Sequence, residues 1–300
     1  MTSPDPSPGA VERSADIAVP PRPAASLVLL RDGPGGLQVL LLERPSDDAV
    51  LAGAHVFPGG KLDREDGDDD VLARIDAPPD ALHARLGEPE LAPHEAAALY
   101  VAALREAFEE TGVLIATGVD PALAERAARL RRDAALGFGE LLAELDLQLQ
   151  ASALSPWSRW ITPKAPAMMK RRFDTRFFAA RLPDGQTPRP DPRETAGAVW
   201  LTPREALERY EARAIELAAP QIMTMVHLAR FSSVEAALAE AAARRPPAIR
   251  PESVQHDGDR WVCYPGDPAH PVSERAMPGP TRLRFAAGRF SPAAGEGWYD

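Results

Sequence analysis

The segment that most constrains the fold is residues 94–111, which has helical periodicity and two very different faces. Apolar side chains recur along it at helical spacing and predict one buried stripe. That stripe consists of Leu99, Ala103, Leu104, Ala107 and Phe108. Glu106, Glu109 and Glu110 stand at positions i, i+3 and i+4, so the three carboxylates share one face. Gly112 is placed to end the helix, which therefore buries one side and presents a cluster of acids near its carboxyl end.

Clustered glutamates are unfavourable unless another group neutralises them. Like charges at this spacing repel, and acids near Gly112 also face the negative end of the helix dipole. Each effect costs from tenths of a kcal/mol up to about 1 kcal/mol. A divalent cation would reverse the sign of both effects, and oxygen ligands alone select a hard ion such as Mg²⁺ or Mn²⁺. A glutamate-rich face that is simply solvated is the alternative interpretation.

Strands and helices alternate along the rest of the chain. Apolar runs at 25–30 and 37–42 flank a Gly-Pro-Gly-Gly turn and predict a β-hairpin. Residues 67–93 contain four prolines and are expected to form an irregular insertion with one short helix. Further strands are expected at 157–162, 172–182 and 197–201, and further helices at 121–133, 137–147, 219–231 and 233–245.

Composition excludes several classes of protein. The net charge of −10 disfavours general binding to nucleic acid, because such binding depends on phosphate neutralisation. The single Cys263 rules out an internal disulfide and a cysteine-built zinc site. The chain contains no run of apolar residues long enough for a membrane-spanning helix, and its first residues lack the pattern of a secretory signal. We therefore expect a cytoplasmic protein.

The glutamate helix and the glycine turn ahead of it resemble the signature of the Nudix hydrolases, G-x5-E-x7-R-E-U-x-E-E-x-G-U, in which U is a bulky aliphatic residue. Gly60 matches the first glycine, and residues 105–113 match the second half, with Ala107 smaller than the usual U. Two departures stand out. Asp66 replaces the glutamate six residues after Gly60, and 38 residues instead of seven lie between Asp66 and Arg105. An insertion therefore splits the signature.

The split signature resembles a Nudix subgroup typified by a mammalian peroxisomal coenzyme A diphosphatase, and the resemblance covers about residues 25–240. It implies an α/β (α+β) fold: a Nudix-type α/β/α sandwich with a mixed sheet, an insertion inside the signature and extra C-terminal helices. The domains expected are a disordered tail at 1–22, the Nudix domain at 23–245 with its insertion at 67–93, and a Pro/Gly-rich extension at 246–300.

The resemblance also implies roles for the residues of the signature. Glu106, Glu109 and Glu110 would hold Mg²⁺ or Mn²⁺, aided by the carbonyl of Gly60. Arg105 would orient the glutamates by ion pairing, so Arg105 and Glu109 are expected in the catalytic machinery.

Nudix enzymes often place one more acid on a later loop, ahead of a strand that carries an aromatic residue. Glu194, six residues before Trp200, fits this pattern and is the expected general base or additional metal ligand. Asp191 is the second candidate for this role. An acid on an exposed loop with no such role is the alternative interpretation of Glu194.

Three arginines are candidates for substrate binding. Arg171 and Arg172 would grip substrate phosphates, although charges that protect a sheet edge from aggregation would look the same. Residues 53–60 match part of a motif in coenzyme A-cleaving Nudix enzymes. That motif has an arginine where this chain has Ala49, and Arg44 is the arginine nearest to that position.

The resemblance implies metal-dependent hydrolysis of a pyrophosphate bond in a nucleoside-diphosphate-linked substrate. Water would attack phosphorus while a carboxylate takes its proton. Coenzyme A or an acyl-coenzyme A is the leading substrate, and ADP-ribose, a dinucleotide or a nucleotide sugar is the alternative. A non-catalytic Nudix-like module that senses a nucleotide is an alternative of another class. We expect a small diphosphate as partner, neither nucleic acid nor membrane, and the sequence is compatible with a homodimer.

Overall fold

A computed structural model of the chain describes residues 20–45, 53–134, 136–163, 172–190, 195–256 and 258–299. The chain divides into two compact units. The larger unit consists of Arg22–Trp160 and Phe173–Ala248, and the smaller unit of Met1–Pro21, Ile161–Arg172 and Ile249–Asp300. No helix within the described ranges is both long and apolar enough to pass through a lipid bilayer.

The larger unit is built on a mixed sheet with helices around it. The strands are β1 (Arg22–Gly33), β2 (Gly36–Glu43), β3 (His55–Val56), β4 (Gly59–Lys61), β5 (Ser155–Ile161), β6 (Phe173–Arg181), β7 (Gly197–Leu201) and β8 (Ala248–Ile249). The helices are α1 (Asp69–Leu72), α2 (Pro79–Leu86), α3 (Pro93–Thr111), α4 (Pro121–Ala134), α5 (Phe138–Glu144), α6 (Pro203–Glu211), α7 (Ala219–Leu228) and α8 (Val234–Ala243). The sheet order is β3-β2-β1-β6-β5-β8, with β4 paired to β1 and β7 to β2.

The predicted hairpin is confirmed as β1 and β2, which pair antiparallel with Gly33 opposite Gly36. Its turn requires glycine at Gly35 and Gly36, because φ is +83° and +109° at these positions. β4 also runs antiparallel to β1, whereas β6 runs parallel to it along most of its length. The sheet is therefore mixed, as the sequence predicted.

The burial of β1 shows that both faces of the sheet are covered. Every side chain at positions 24–30 is buried, and such continuous burial is typical of a sheet with cover on two sides. Leu27 belongs to the core cluster around α3, whereas its neighbour Val28 is buried outside that cluster. On the α3 side, the ring of Tyr100 lies 4.5 Å from that of Phe178. The predicted α/β class, with a sheet between helices, is confirmed.

Helix α3 carries the glutamates, and local signals define both of its ends. Pro93 lies in its first turn, and the backbone N–H of Ala92 donates to Glu95 at 2.9 Å. At the other end Gly112 adopts a left-handed conformation with φ of +71°, and its N–H donates to the carbonyl of Phe108 at 2.7 Å. The helix is buried along most of its length, so the core fixes the position of its last two turns.

The insertion at 67–93 is more regular than its prolines suggested, since it contains both α1 and α2. Leu82 and Leu86 bury one face of α2, and the carbonyl of Leu82 accepts the hydroxyl of Tyr100 at 3.2 Å. Pro79 lies in the first turn of α2, where proline does not interrupt the helix. The expectation of one short helix was therefore too low, because proline here marks a helix start.

The smaller unit contains a four-stranded antiparallel sheet that was not predicted from the sequence. Its strands are β9 (Glu252–His256), β10 (Asp259–Cys263), β11 (Arg282–Ala286) and β12 (Arg289–Ser291), in the order β12-β11-β10-β9. Beside this sheet the buried carboxylate of Asp267 accepts two hydrogen bonds from Arg282, at 2.6 and 2.8 Å. Strands of three to five residues give almost no periodicity, which explains why the sequence pattern did not show them.

Candidate active site

Two of the three glutamates of α3, Glu106 and Glu110, contact the glycine turn that contains β4. A side chain at Gly60 would collide with the carboxylate of Glu106, because a Cβ there would lie 2.4 Å from Oε1. Glu110 Oε2 accepts the backbone N–H of Gly59 at 2.9 Å. Gly60 therefore allows the end of α3 to approach the backbone of β4 closely, whereas a Cβ at Gly59 would collide with Ala25 and Ser26 of β1.

Arg105 lies behind the glutamates and binds several carboxylates at once. Its side chain is only 9% exposed. Its Nη1 donates to Glu106 Oε1 at 2.9 Å and to Glu109 Oε2 at 3.2 Å, and its Nη2 donates to the carbonyl of Lys61 at 3.1 Å. Burial alone would lower the pKa of Arg105, but its hydrogen bonds and the charges of the surrounding acids outweigh burial and raise it. Arg105 is therefore a fixed cation that orients Glu106 and Glu109.

Asp66, which comes just before the insertion in sequence, also belongs to this cluster. Its carboxylate accepts two parallel hydrogen bonds from Arg105, from Nε at 2.7 Å and from Nη2 at 3.0 Å. This bidentate geometry is the strongest form of arginine–carboxylate pairing. The side chain of Asp66 is almost fully buried and also accepts the N–H of Asp63 at 2.8 Å. The insertion thus leaves Asp66 and Arg105 in direct contact, although 38 residues lie between them in sequence.

Glu106 is a buried acid whose charge is only partly compensated. Burial raises its pKa to about 7, although the positive charge of Arg105 acts in the opposite direction. The neighbouring Glu109 adds repulsion that raises this pKa further. A site that holds a buried carboxylate under these conditions favours the arrival of another positive charge.

The donor set suits a hard divalent cation. Every candidate ligand is an oxygen, from Glu106, Glu109, Glu110 or the carbonyl of Gly60, and hard ions prefer oxygen. The space that a Cβ would fill at Gly60 is occupied by a carboxylate, so acid and backbone already lie side by side. Within the described residues, no group of three or more His, Cys, Asp or Glu side chains is arranged so that it could hold a metal ion. The glutamates pair instead with arginines and with the N–H of Gly59.

Arg131 is a site residue that the sequence did not indicate. It lies on α4, beyond the signature, and its Nη2 is 2.5 Å from Glu109 Oε1. Its Nη1 donates to the carbonyl of Leu136 at 3.1 Å. The pattern of 121–133 predicted the helix but not its contact, because the distance to Glu109 depends on how α4 is placed in the fold. No local sequence signal could have identified this residue.

A cavity of about 180 Å³ lies beside these charges. Charged residues dominate its lining and include Asp63, Glu65, Asp66, Arg105, Glu109 and Arg131. The cavity therefore connects the predicted catalytic cluster with α4 and with the acidic turn that follows β4.

Arg172, a predicted substrate-binding residue, has other partners in this structure. Its side chain is buried, and its guanidinium donates to the carbonyls of Thr162 and Pro163 at 3.1 to 3.2 Å. All three residues belong to the smaller unit. These contacts connect Arg172 to the backbone just after β5, and its role in phosphate binding stays a prediction.

Of the remaining predicted residues, the structure describes Arg44. Arg44 follows β2 directly, and its backbone N–H donates to the carbonyl of Ala54 at 3.0 Å. Arg171, Asp191 and Glu194 lie outside the described residues, so their roles stay predictions.

A mixed sheet between helices, with an acidic helix that closes on a glycine turn, defines the class to which this protein belongs. The chain is a member of the Nudix hydrolase family, since the family model for the NUDT19 Nudix domain matches residues 21–228. The family and the enzyme class predicted from the signature are therefore confirmed: the chain is a hydrolase of pyrophosphate bonds.

Several known proteins are similar to this chain. It is 33% identical to the human acyl-coenzyme A diphosphatase NUDT19 over 269 residues, which cover 76% of this chain and 71% of that protein. It is 30% identical to the Gallus gallus protein of the same name over 262 residues, covering 71% and 69% of the two chains. Its structure is similar to a crystal structure of a Nudix hydrolase from Alicyclobacillus acidocaldarius, with a TM-score of 0.59, 26% identity, and coverage of 77% and 99%.

Proposed function

We propose that this chain hydrolyses the diphosphate bond of coenzyme A or an acyl-coenzyme A in a reaction that requires Mg²⁺ or Mn²⁺. The observation that carries the proposal is the contact of Glu106 and Glu110 with the glycine turn at Gly59–Gly60. The substrate follows from similarity to the acyl-coenzyme A diphosphatases, which extends over about three quarters of this chain for the human protein.

Glu106, Glu109 and Glu110 would hold the divalent ion together with the carbonyl of Gly60. When bound, such an ion neutralises phosphate oxygens and lowers the pKa of a water molecule. Arg105 fixes Glu106 and Glu109 by ion pairing, and Asp66 in turn fixes Arg105. The glutamates are thus held in one arrangement before the substrate arrives, so little reorganisation is needed during the reaction.

A base must accept the proton of the attacking water. Glu194 stays our candidate for this role and Asp191 the second candidate, on the sequence argument given above. We also propose, from the sequence alone, that Arg44 and Arg171 contact the phosphates of the substrate. The net charge of −10 supports the metal requirement, because an acidic protein and an anionic substrate repel each other without a cation between them.

The test is a panel of diphosphates assayed with Mg²⁺ and with excess chelator. The panel contains coenzyme A, an acyl-coenzyme A, ADP-ribose, a dinucleotide and a nucleotide sugar. Coenzyme A or its acyl ester should have the highest kcat/KM, and chelator should abolish turnover. Glu109→Gln and Glu110→Gln should each lower turnover by at least about 100-fold. Glu208→Gln, an exposed acid on α6, is the matched control and should have no effect.

Other outcomes would change the assignment in defined ways. Preference for ADP-ribose, a dinucleotide or a nucleotide sugar would keep the enzyme class and replace the substrate. Tight binding without turnover of any diphosphate would favour the nucleotide-sensing alternative. Full activity of the Glu109 and Glu110 variants would contradict the proposed site.

We retain three further predictions. A cytoplasmic location is proposed from the single cysteine and the apolar pattern of the sequence, and a partner limited to a small diphosphate is proposed from the net charge. A homodimer stays a prediction, which sedimentation of the purified chain would test.

A further inference from the structure

The glutamates of α3 do not share their arginine partners equally. Arg105 contacts both Glu106 and Glu109, but it is also tied to Asp66 and to the carbonyl of Lys61. Glu109 has a second cation, Arg131, on its other oxygen. Glu109 therefore lies between one arginine that the fold holds rigidly and one that reaches it from another helix.

Arg131 differs from Arg105 in its freedom to move. The Arg131 side chain is 33% exposed and Arg105 only 9%. Arg131 also donates to the carbonyl of Leu136, whereas Arg105 makes a bidentate pair with a buried acid. The ion pair between Arg131 and Glu109 is partly open to water, so Arg131 can leave Glu109 at a smaller cost than Arg105 could leave its buried partner.

The backbone that carries Arg131 is nevertheless fixed near the site. Ala124 and Ala127 bury one side of α4. Glu125, on the same helix, accepts a hydrogen bond from Arg189 at 2.7 Å, and the backbone N–H of Arg189 donates to the carbonyl of Thr111 at 2.7 Å. Since Thr111 is the last residue of α3, α4 is linked to the catalytic helix at that helix's end as well as through Arg131.

Arg131 also lines the cavity beside the glutamates. Arg105 is the other cation of that lining, and its donors are already directed at carboxylates and at Lys61. Arginine is well suited to phosphate because its planar fork donates two parallel hydrogen bonds. Arg131 borders the cavity, and its ion pair with Glu109 is only partly buried. It is therefore placed to bind an anionic substrate there.

We propose that Arg131 is a substrate-binding residue that exchanges partners: it neutralises Glu109 in the free protein and moves to the diphosphate when a divalent ion binds the glutamates. This inference rests on the proposed function, because it takes the glutamates as the metal ligands and a diphosphate as the ligand. It adds a residue outside the signature, on a helix that the signature does not include.

The proposal makes opposite predictions for metal and for substrate. Arg131→Gln removes a cation that competes for Glu109, so Mn²⁺ should bind the free protein about threefold more tightly. The same change removes a charge-assisted hydrogen bond to the diphosphate, so KM for coenzyme A should rise roughly tenfold or more, with a smaller change in kcat. A purely structural role of Arg131 would weaken both kinds of binding together.

The experiment measures Mn²⁺ binding to the full-length protein by electron paramagnetic resonance of the free ion, and steady-state hydrolysis of coenzyme A with Mg²⁺. Arg129→Gln is the matched control, since Arg129 is on the same helix and forms an ion pair with the exposed Glu125. Arg131→Lys keeps the charge without the fork, so it should leave Mn²⁺ affinity near that of the unmodified chain and still raise KM. It also serves as the test protein if Arg131→Gln does not fold.

Unchanged Mn²⁺ affinity and unchanged KM in both Arg131 variants would overturn the proposal, as would a loss of affinity for Mn²⁺ in Arg131→Gln. The Mn²⁺ measurement needs no turnover. If the unmodified chain hydrolysed none of the diphosphates, the proposed function would fail, while the competition between Arg131 and the metal would still be tested.

Discussion

The larger unit contains two buried clusters of arginine and carboxylate, and their charge balance differs. The first surrounds Arg105, with Asp66, Glu106 and Glu109 as its acids. The second, which we call the edge cluster, consists of Arg159, Arg176, Glu88 and Asp174, with the exposed Glu90 at its border.

The edge cluster is balanced: two buried acids face two arginines. Glu88 accepts from Arg176 at 2.6 and 3.0 Å and lies 2.7 Å from Arg159. Asp174 accepts two hydrogen bonds from Arg159, at 2.8 and 2.9 Å. The hydrogen bonds of Asp174 are the largest contribution that raises the pKa of Arg159. Around Arg105, by contrast, acids outnumber arginines, and burial raises the pKa of Glu106 to about 7.

This difference shows why burial of charge is a poor guide to function by itself. Both clusters are buried and hydrogen-bonded, but only the Arg105 cluster has a deficit of positive charge that a metal ion could supply. A buried network with equal numbers of positive and negative groups stabilises or specifies a fold. A buried network with an excess of acids favours binding of a cation. Four changes would break or sharpen this contrast.

The largest effect is expected from Glu106→Gln. Because the change removes a proposed metal ligand, kcat/KM for coenzyme A should fall by about 1,000-fold. Stability in the presence of chelator should be retained or increased at pH 8, since a buried and poorly compensated charge is lost. Urea unfolding and steady-state kinetics of the same preparation measure both. A strongly destabilised protein would mean that Glu106 is structural.

In the edge cluster, Glu88→Gln should have the opposite outcome. It leaves the buried Arg176 and the partly buried Arg159 without their shared partner, so the free energy of unfolding should fall by about 3 to 5 kcal/mol. Activity per folded molecule should be unchanged. The control is Glu90→Gln, whose side chain is 56% exposed and whose loss should cost less than about 1 kcal/mol. Loss of activity in folded Glu88→Gln protein would show that the edge cluster serves catalysis.

The sequence predicted the first cluster well and the second not at all. Glu106, Glu109 and Glu110 share a face because helical spacing requires it, and Gly112 ends their helix by a local rule. Hairpin β1–β2 was equally local, since two apolar runs flank one turn. The edge cluster joins residues 88, 159, 174 and 176, and only the folded sheet brings these positions together.

Two further features were beyond sequence reasoning for the same reason. Arg131 reaches Glu109 because of how α4 is placed, and Arg172 donates to the carbonyls of Thr162 and Pro163, which lie earlier in the sequence. Strands β9–β12 are too short to give a pattern. Residue spacing thus predicts which side chains share a face of one helix or strand, but not which distant element contacts that face.

His227 is a third kind of buried titratable group, because its side chain is neutral in the folded protein at neutral pH. Burial among Trp157 and Phe231 lowers its pKa to about 4, the charges of Arg244 and Arg230 act in the same direction, and Glu240 opposes them. Since the folded pKa lies below the ordinary value of about 6.5, stability is fully present above pH 6.5 and is lost as pH falls toward 4. The loss should reach at most about 3 kcal/mol.

Urea unfolding between pH 4 and 7 measures this loss, and comparison with His227→Gln isolates it from other titrating groups. The variant should have a flatter dependence of stability on pH across that window. An unchanged slope would show that protonation of His227 is not opposed by its surroundings.

The smallest effect is expected from Asp63→Asn, at the exposed border of the Arg105 cluster. Asp63 Oδ2 lies 3.6 Å from Arg105 Nη2, and its side chain is 58% exposed. At this distance and exposure its charge is screened by water, so stability should change by less than about 0.5 kcal/mol and kcat/KM by less than about twofold. The backbone N–H that donates to Asp66 is retained. The coenzyme A assay measures the effect. A large loss of Mg²⁺-dependent activity would mean that Asp63 is also a metal ligand, and that the exposed fraction of an acid in this cluster does not predict whether it binds metal.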